Sequence, residues 1–195
     1  MRIYFDTEFT GLHKNTTLIS IGLVDENDRS FYAEFTDYDE SQCDDWIKEN
    51  VINNLLLPKS TCLNYNDENT WCNVKGDKLL IQTTLIQWLS KYDTVGLVSD
   101  VCHYDMVLFI DIFGGAFDLP KNVNPACHDI NQDIAKYYNI SEYKAFDKSR
   151  EDILKEHNIT IEGIKHNSLY DAKVIKSIYE ILNTPNNCDG DIYFE

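Results

Sequence analysis

The first twelve residues, Met1-Arg-Ile-Tyr-Phe-Asp-Thr-Glu-Phe-Thr-Gly-Leu12, constrain this chain more than any other stretch. Residues 2–5 are apolar and β-prone, without Gly or Pro, and read as a short strand. Asp6 and Glu8 follow at once, and residues two apart on a strand point to the same face. Two carboxylates side by side repel unless a cation lies between them or one holds a proton. Thr10-Gly11 then has turn composition. Taken alone the pair reads as a solvated strand end, so its meaning depends on what the rest of the chain brings to it.

Residues 17–24 read as a second strand, 25–28 as a turn and 29–35 as a third strand, a hairpin able to pair with the first. Residues 39–57 change to a helical period, with Trp46, Ile47, Val51, Asn54 and Leu55 on one stripe, Asp39 or Ser41 as cap and Pro58 beyond the end. Residues 59–76 are polar and read as a loop or insertion, and 77–91 as a helix with Leu80, Thr84, Leu85 and Trp88 inward. Residues 94–99 are continuously apolar, as a buried fourth strand should be. A helix over 106–113 ends at Gly114-Gly115. Residues 125–127 form a small fifth strand, with Asp129 capping a helix over 130–138. Residues 139–160 read as a loop around one short helix, 150–156. Residues 167–182 make a strong helix with Leu169, Ala172, Ile175, Tyr179 and Leu182 on one face.

No internal repeat or Gly/Ser linker appears, so residues 1–195 are expected to form a single domain, with a polar tail from about 184. No apolar run approaches a membrane span, and the N-terminus enters a strand directly, so the expectation is a cytoplasmic protein with no membrane partner. Cys43, Cys62, Cys72, Cys102, Cys127 and Cys188 contain no Cys-x-x-Cys pair. They read as thiols, Cys102 and Cys127 as buried packing residues. The net charge of −16, from 33 acidic and 17 basic residues, argues against a protein that coats nucleic acid through a broad basic face. It leaves room for an enzyme that takes only a strand end and screens it with metal ions. Any basic strip must then be local, and Lys144, Lys148, Arg150, Lys155 and Lys165 are its candidates.

Three places carry candidate chemistry: Asp6 with Glu8, Asp105 (Asp100 being the second choice) at the start of the helix after the fourth strand, and His166 with Asp171 five residues later. Each has a plainer reading. Asp105 alone is a helix cap, His166 a surface or satisfied core histidine, and Asp171 a partner of Lys165. Asp171 nevertheless falls among core positions of its helix, a costly place for a lone acid. His128 and Asp129 read as capping residues, His13, His103 and His157 as surface or loop, and Tyr104 and Phe109 as core.

In this order and at these separations, Phe5-Asp-Thr-Glu-Phe-Thr-Gly-Leu12, Leu18-Ile-Ser-Ile-Gly22, Tyr104-Asp-Met-Val-Leu-Phe109 and His166 with Asp171-Ala172 resemble the motifs of the RNase T-like, DnaQ-like exonucleases of the DEDDh branch. Within that branch, residues 1–9 and Trp46-Ile-Lys-Glu-Asn-Val51 are most similar to small bacterial and phage exoribonucleases. The resemblance implies an α/β fold of RNase H-like type: a mixed five-stranded sheet, strands 1–3 antiparallel and then strands 4 and 5, flanked by helices. It implies a 3′-5′ exonuclease acting on RNA, with single-stranded DNA as a second substrate class, that releases nucleoside 5′-monophosphates, and a homodimer as one oligomeric state. Asp6, Glu8, Asp105 and Asp171 become metal ligands, and Phe9, Thr10 and Leu12 contacts to the terminal nucleotide. Phe9, Ser168 and residues 99–103 depart from the family's usual Thr, Ala and His-Asn-Ala approach, but no ligand is lost. Physically, four carboxylates can hold two Mg²⁺ or Mn²⁺ ions roughly 4 Å apart, one activating water and one on the leaving oxygen. His166, with an ordinary pKa of about 6.5, can take the water's proton. A catalytically silent binding member of the fold and a metal-dependent endonuclease are the competing readings.

Overall fold

The structure, a computed structural model, describes residues 1–66, 68 and 70–184. The strands are β1 (Arg2–Phe9), β2 (Leu18–Asp25), β3 (Ser30–Phe35), β4 (Cys62–Tyr65), β5 (Trp71–Gly76), β6 (Val95–Ser99) and β7 (Val123–Asp129). They pair into one mixed sheet in the order β4-β5-β3-β2-β1-β6-β7. β1, β2 and β3 are antiparallel neighbours, β6 lies parallel to β1 and β7 parallel to β6. The helices are α1 (Asp45–Asn50), α2 (Lys78–Leu89), α3 (His103–Ile112), α4 (Ile130–Tyr138), α5 (Glu142–Asp147), α6 (Arg150–Glu156) and α7 (Ser168–Asn183).

Strand alternation sorts the side chains into two layers. Ile3 and Phe5 of β1 pack into one core with α2 and α3, among them Ile81, Leu85, Trp88 and Phe109. Tyr4 faces the other way and joins the core of α4, α6 and α7 with Ile130, Ile153, Ile175 and Ile178. All eight residues of β2 are buried, as suits a central strand covered on both faces. α7 lies so close over β2 that a Cβ on Gly22 would come within 2.4 Å of the backbone of Ser168 and Leu169. Only glycine allows that approach.

The sheet has seven strands among the described residues, not the expected five, because residues 59–76 hold the β4-β5 hairpin. Their Asn- and Asp-rich composition hides a period-2 signal: in β5, Cys72, Val74 and Gly76 are buried while their neighbours are not. The first strand also runs four residues further than expected, so Asp6 and Glu8 lie within it rather than after it. Residues 39–57 do not form one helix. A 3-10 turn at Glu40–Gln42 capped by Asp39, the short α1 capped by Asp44, and a second turn at Ile52–Asn54 replace it, with Trp46 exposed. Residues 139–160 contain two capped helices, α5 and α6, where one was expected, because Ser141 and Ser149 each cap a helix start. α3 begins at His103, so Asp105 sits in its first turn rather than ahead of it.

The described cysteines are all free thiols, but the buried ones are Cys43 and Cys72. Cys102 and Cys127, expected in the core, are half-buried. The tail after residue 184, and Cys188 in it, lie outside the described residues. Among the described residues no helix is long and apolar enough to cross a membrane.

Candidate active site

β1, β6 and β7 run parallel, so their carboxyl ends meet at one edge of the sheet, the usual place for a site in an α/β fold. A cleft of about 660 Å³ opens there. Asp6, Glu8, Asp105, His166 and Asp171 all line it, with Phe9, Leu12, Asp100 and Tyr104. Segments up to 165 residues apart in the chain therefore meet in one cleft. Asp6 and Glu8 share the face of Tyr4, the face that α7 covers, and α7 carries Asp171 in its first turn. Asp105 arrives from the opposite layer at the start of α3.

His166 and Asp171 converge through the turn before the helix, not along a helix face. His166 adopts a left-handed backbone (φ 62°), a conformation histidine tolerates better than most residues. Its backbone N–H donates to Asp171 Oδ2 at 2.9 Å. Asn167 caps α7, its side chain accepting from Tyr170 N. One ligand atom from each of Glu8, His166 and Asp171 fits within 4.8 Å of the others, a spacing suited to a shared cation. Lys165 does not pair with Asp171; its Nζ lies 2.9 Å from Glu151.

Asp105 is buried and its carboxylate is gripped: Oδ1 accepts from the Thr7 N–H at 3.1 Å and from the Thr7 hydroxyl, and Oδ2 from Ser99 Oγ at 2.8 Å. Thr7 and Ser99 did not stand out in the sequence. The signal was there in part, since Thr7 sits between the two acids and Ser99 ends the apolar fourth strand. Asp100 also reaches the cleft, but Arg150 covers it with a two-pronged contact, Nε to Oδ2 at 2.6 Å and Nη2 to Oδ1 at 2.7 Å. Asn131 ties Asp100 to Asp129, which caps α4 as expected. His128 pairs with Asp133.

Of the expected nucleotide contacts, Phe9 and Leu12 line the cleft, Phe9 stacked on Tyr104 with ring centroids 5.3 Å apart. Tyr104, expected in the core, is thus part of the cleft wall, whereas Phe109 is fully buried. Thr10 is not brought to the cleft. It is buried and its hydroxyl accepts from Thr17 N and donates to Gln42 Oε1, bracing the turn instead. Phe146 of α5 is exposed at the cleft, a contact hidden in a stretch that read as loop.

Burial disfavours the charged forms of the cleft carboxylates. Burial pushes Glu8 up to about 8, with Asp171 and Asp105 adding repulsion. Burial likewise raises Asp171 to about 7 and Asp105 to about 6, the Thr7 and Ser99 hydrogen bonds limiting the latter. Asp6 is driven well above the carboxylate range by burial and by Asp105, Asp171 and Glu8. Burial and Lys165 lower His166, leaving its imidazole neutral near pH 7 with a lone pair to offer. A crowded set of carboxylate oxygens that cannot all ionise is a fit for hard divalent cations.

The sequence profile of the 3′-5′ exoribonuclease Rv2179c-like domain matches residues 1–182. The 3′-5′ exoribonuclease Rv2179c of Mycobacterium tuberculosis (strain H37Rv) is 28% identical over 132 residues, 68% of this chain and 73% of its own length. Among solved structures, Pop2p of S. pombe in a Mg²⁺- and Mn²⁺-bound form superposes with a TM-score of 0.61 at 17% identity, over 98% of this chain and 86% of that one. The nuclease domain of 3′hExo, a DEDDh family member bound to rAMP, gives 0.57 at 16% identity, over 91% and 88%. A 3′-exonuclease described by its recognition of the 3′ end of a histone mRNA stem-loop gives 0.60 at 15% identity. That match covers 93% of this chain but 63% of the other, so this chain spans less than two thirds of it. The fold is that of the RNase H-like DEDDh exonucleases.

Proposed function

The chain belongs to the family of 3′-5′ exoribonuclease Rv2179c-like domains, and we propose that it hydrolyses RNA from the 3′ end in a divalent-metal-dependent reaction releasing nucleoside 5′-monophosphates. Single-stranded DNA is the second substrate class. The observation that carries this reading is the meeting of Asp6, Glu8, Asp105, His166 and Asp171 in one cleft.

In this reading Asp6, Glu8, Asp105 and Asp171 hold two Mg²⁺ or Mn²⁺ ions, a choice supported by the all-oxygen carboxylate set. When bound, the ions supply charge neutralisation for the phosphoryl group and stabilisation of the attacking and leaving oxygens. The protein's own residues do the rest. Thr7 and Ser99 fix the Asp105 carboxylate, so its oxygens are oriented before substrate arrives. Asp171, through the His166 N–H, fixes the turn that carries the imidazole. The neutral imidazole nitrogen takes a proton from the attacking water as general base. The Phe9–Tyr104 stack and Leu12 form the wall against which the terminal nucleoside packs.

The test uses 5′-labelled RNA, the same RNA closed into a circle, and Mg²⁺. A ladder shortened one nucleotide at a time from the 3′ end, with nucleoside 5′-monophosphates as product and no attack on the circle, is expected. Cleavage of the circle would make the protein an endonuclease. No turnover on any strand despite metal binding would make it a silent member of the fold.

A further inference from the structure

The register of the sheet draws two polar rows across the face that α7 covers. Glu8 of β1 pairs with Ser20, Ser20 with Glu34, and Glu34 with Lys75 of β5. One step along, Asp6 pairs with Gly22 and Gly22 with Tyr32. The start of α7 lies over both rows. Ser168 Oγ is 2.9 Å from Ser20 Oγ, the helix backbone rests on Gly22, and Asn167 Nδ2 donates to the Tyr32 hydroxyl at 3.1 Å. The cleft carboxylates occupy one end of these rows, and a further carboxyl group, unused by the reaction, lies further along.

That group is Glu34. Its side chain is completely buried, and Lys75, 13% exposed, sits 2.7 Å from its Oε2. Oε1 accepts three further hydrogen bonds, from the Tyr32 hydroxyl at 2.9 Å and from the backbone N–H groups of Leu56 at 2.7 Å and Leu57 at 2.8 Å. A buried ion pair adds little stability over an apolar pair of the same size, so its stability alone gives no reason for it. What it does here is geometric. Glu34 pins the chain just after Asn54 and orients the Tyr32 hydroxyl. Asn54 and Tyr32 between them hold both neighbours of His166. Asn54 Nδ2 donates to the Lys165 carbonyl at 3.1 Å, and Asn167 Nδ2 donates to the Asn54 carbonyl at 3.0 Å as well as to Tyr32. Trp46, on the same 39–57 segment, sets its ring edge-on to the His166 imidazole at 5.0 Å. A histidine in a left-handed turn needs such bracing to keep one orientation.

We propose that Glu34, with Lys75, Tyr32 and Asn54, is a positioning set that fixes the His166 turn over the cleft without touching substrate. This rests on the reading of His166 as general base. The β4-β5 hairpin thereby gains a role in the reaction, since β5 supplies the counter-charge of Glu34.

A double-mutant cycle tests it. Tyr32→Phe removes the hydroxyl that joins Glu34 to Asn167 and keeps the ring. Asn54→Ala, on a half-buried surface turn, removes the hold on Lys165 and carries the test if Tyr32→Phe does not fold. Each is measured under single-turnover conditions on 3′-labelled RNA, alone and combined with His166→Ala. Mn²⁺ affinity is measured by calorimetry alongside. The expected result is a rate loss of roughly ten- to a hundredfold, the scale of misplacing a reacting group by an ångström. KM and Mn²⁺ affinity stay unchanged, and no further loss appears once His166 is absent. Wild-type rate in a folded variant, or the same loss with and without His166, overturns the proposal. Full activity of His166→Ala alone would instead overturn the base assignment, so the two failures are distinguishable.

Discussion

Asp6, Glu8 and Asp171 hold their protons to higher pH than ordinary carboxylates because burial and mutual repulsion disfavour the charged forms. The metal-free folded state therefore binds more protons than the unfolded chain. These groups contribute stability in full below their unfolded values of about 4, and lose it as pH rises through the folded values of about 7 for Asp171 and about 8 for Glu8. The melting temperature in a chelator should fall across that window. Saturating Mg²⁺ should remove most of the fall, and Glu8→Gln should make it shallower. A metal-free melting temperature that does not depend on pH would contradict the charge crowding. For activity, His166→Ala should cost about 10²- to 10⁴-fold in kcat, the range of a general base. Asp6→Asn should abolish metal-dependent turnover while the fold, followed by circular dichroism, persists.

The elements explain why those residues meet. α7 brings Asp171 and His166 to β1 only because Gly22 lets its backbone touch β2. Gly22→Ala should destabilise the fold by about 1–3 kcal/mol, the usual cost of overpacking, and lower kcat more than a surface glycine change of equal stability effect. Urea midpoints and initial rates check this; an unchanged midpoint and rate would mean that α7 does not pack there as described. The three-strand start, α2, the strand β6, α4 and α7 were legible in the sequence because their apolar patterns are regular, and Asp129 caps α4 as expected. So were the five clustered residues, by order and spacing. The β4-β5 hairpin was not, because the polar Asn73 and Lys75 and the Asn- and Asp-rich residues before them outweigh Cys72 and Val74 in composition. The Thr7 and Ser99 grip on Asp105 was not, because it runs between layers of the sheet and no local pattern encodes it. The Thr10 side chain is engaged in its own turn, which leaves only its backbone for a nucleotide contact.

Across the whole molecule, a chain of net charge −16 grips its substrate with little basic surface. The cations lining the cleft already have partners: Lys148 is 3.0 Å from Glu156, Arg150 is bound to Asp100, and Lys165 to Glu151. Lys155 pairs with Asp152 away from the cleft. The expected basic strip is therefore largely neutralised, and few phosphates can displace salt ions. The logarithm of kcat/KM against the logarithm of KCl, at fixed Mg²⁺, should have a slope of magnitude about 1 or less, one phosphate's worth. A steep slope would point to a basic track elsewhere. The central claim is that residues far apart in the chain share divalent cations, and crystals grown with Mn²⁺ and nucleoside 5′-monophosphate test it most directly. Anomalous peaks are expected within bonding distance of Asp6, Glu8, Asp105 and Asp171 oxygens, with His166 facing the phosphate. Carboxylates without peaks in a crystal that binds Mn²⁺ elsewhere, or a nucleotide seated outside the cleft, would contradict it.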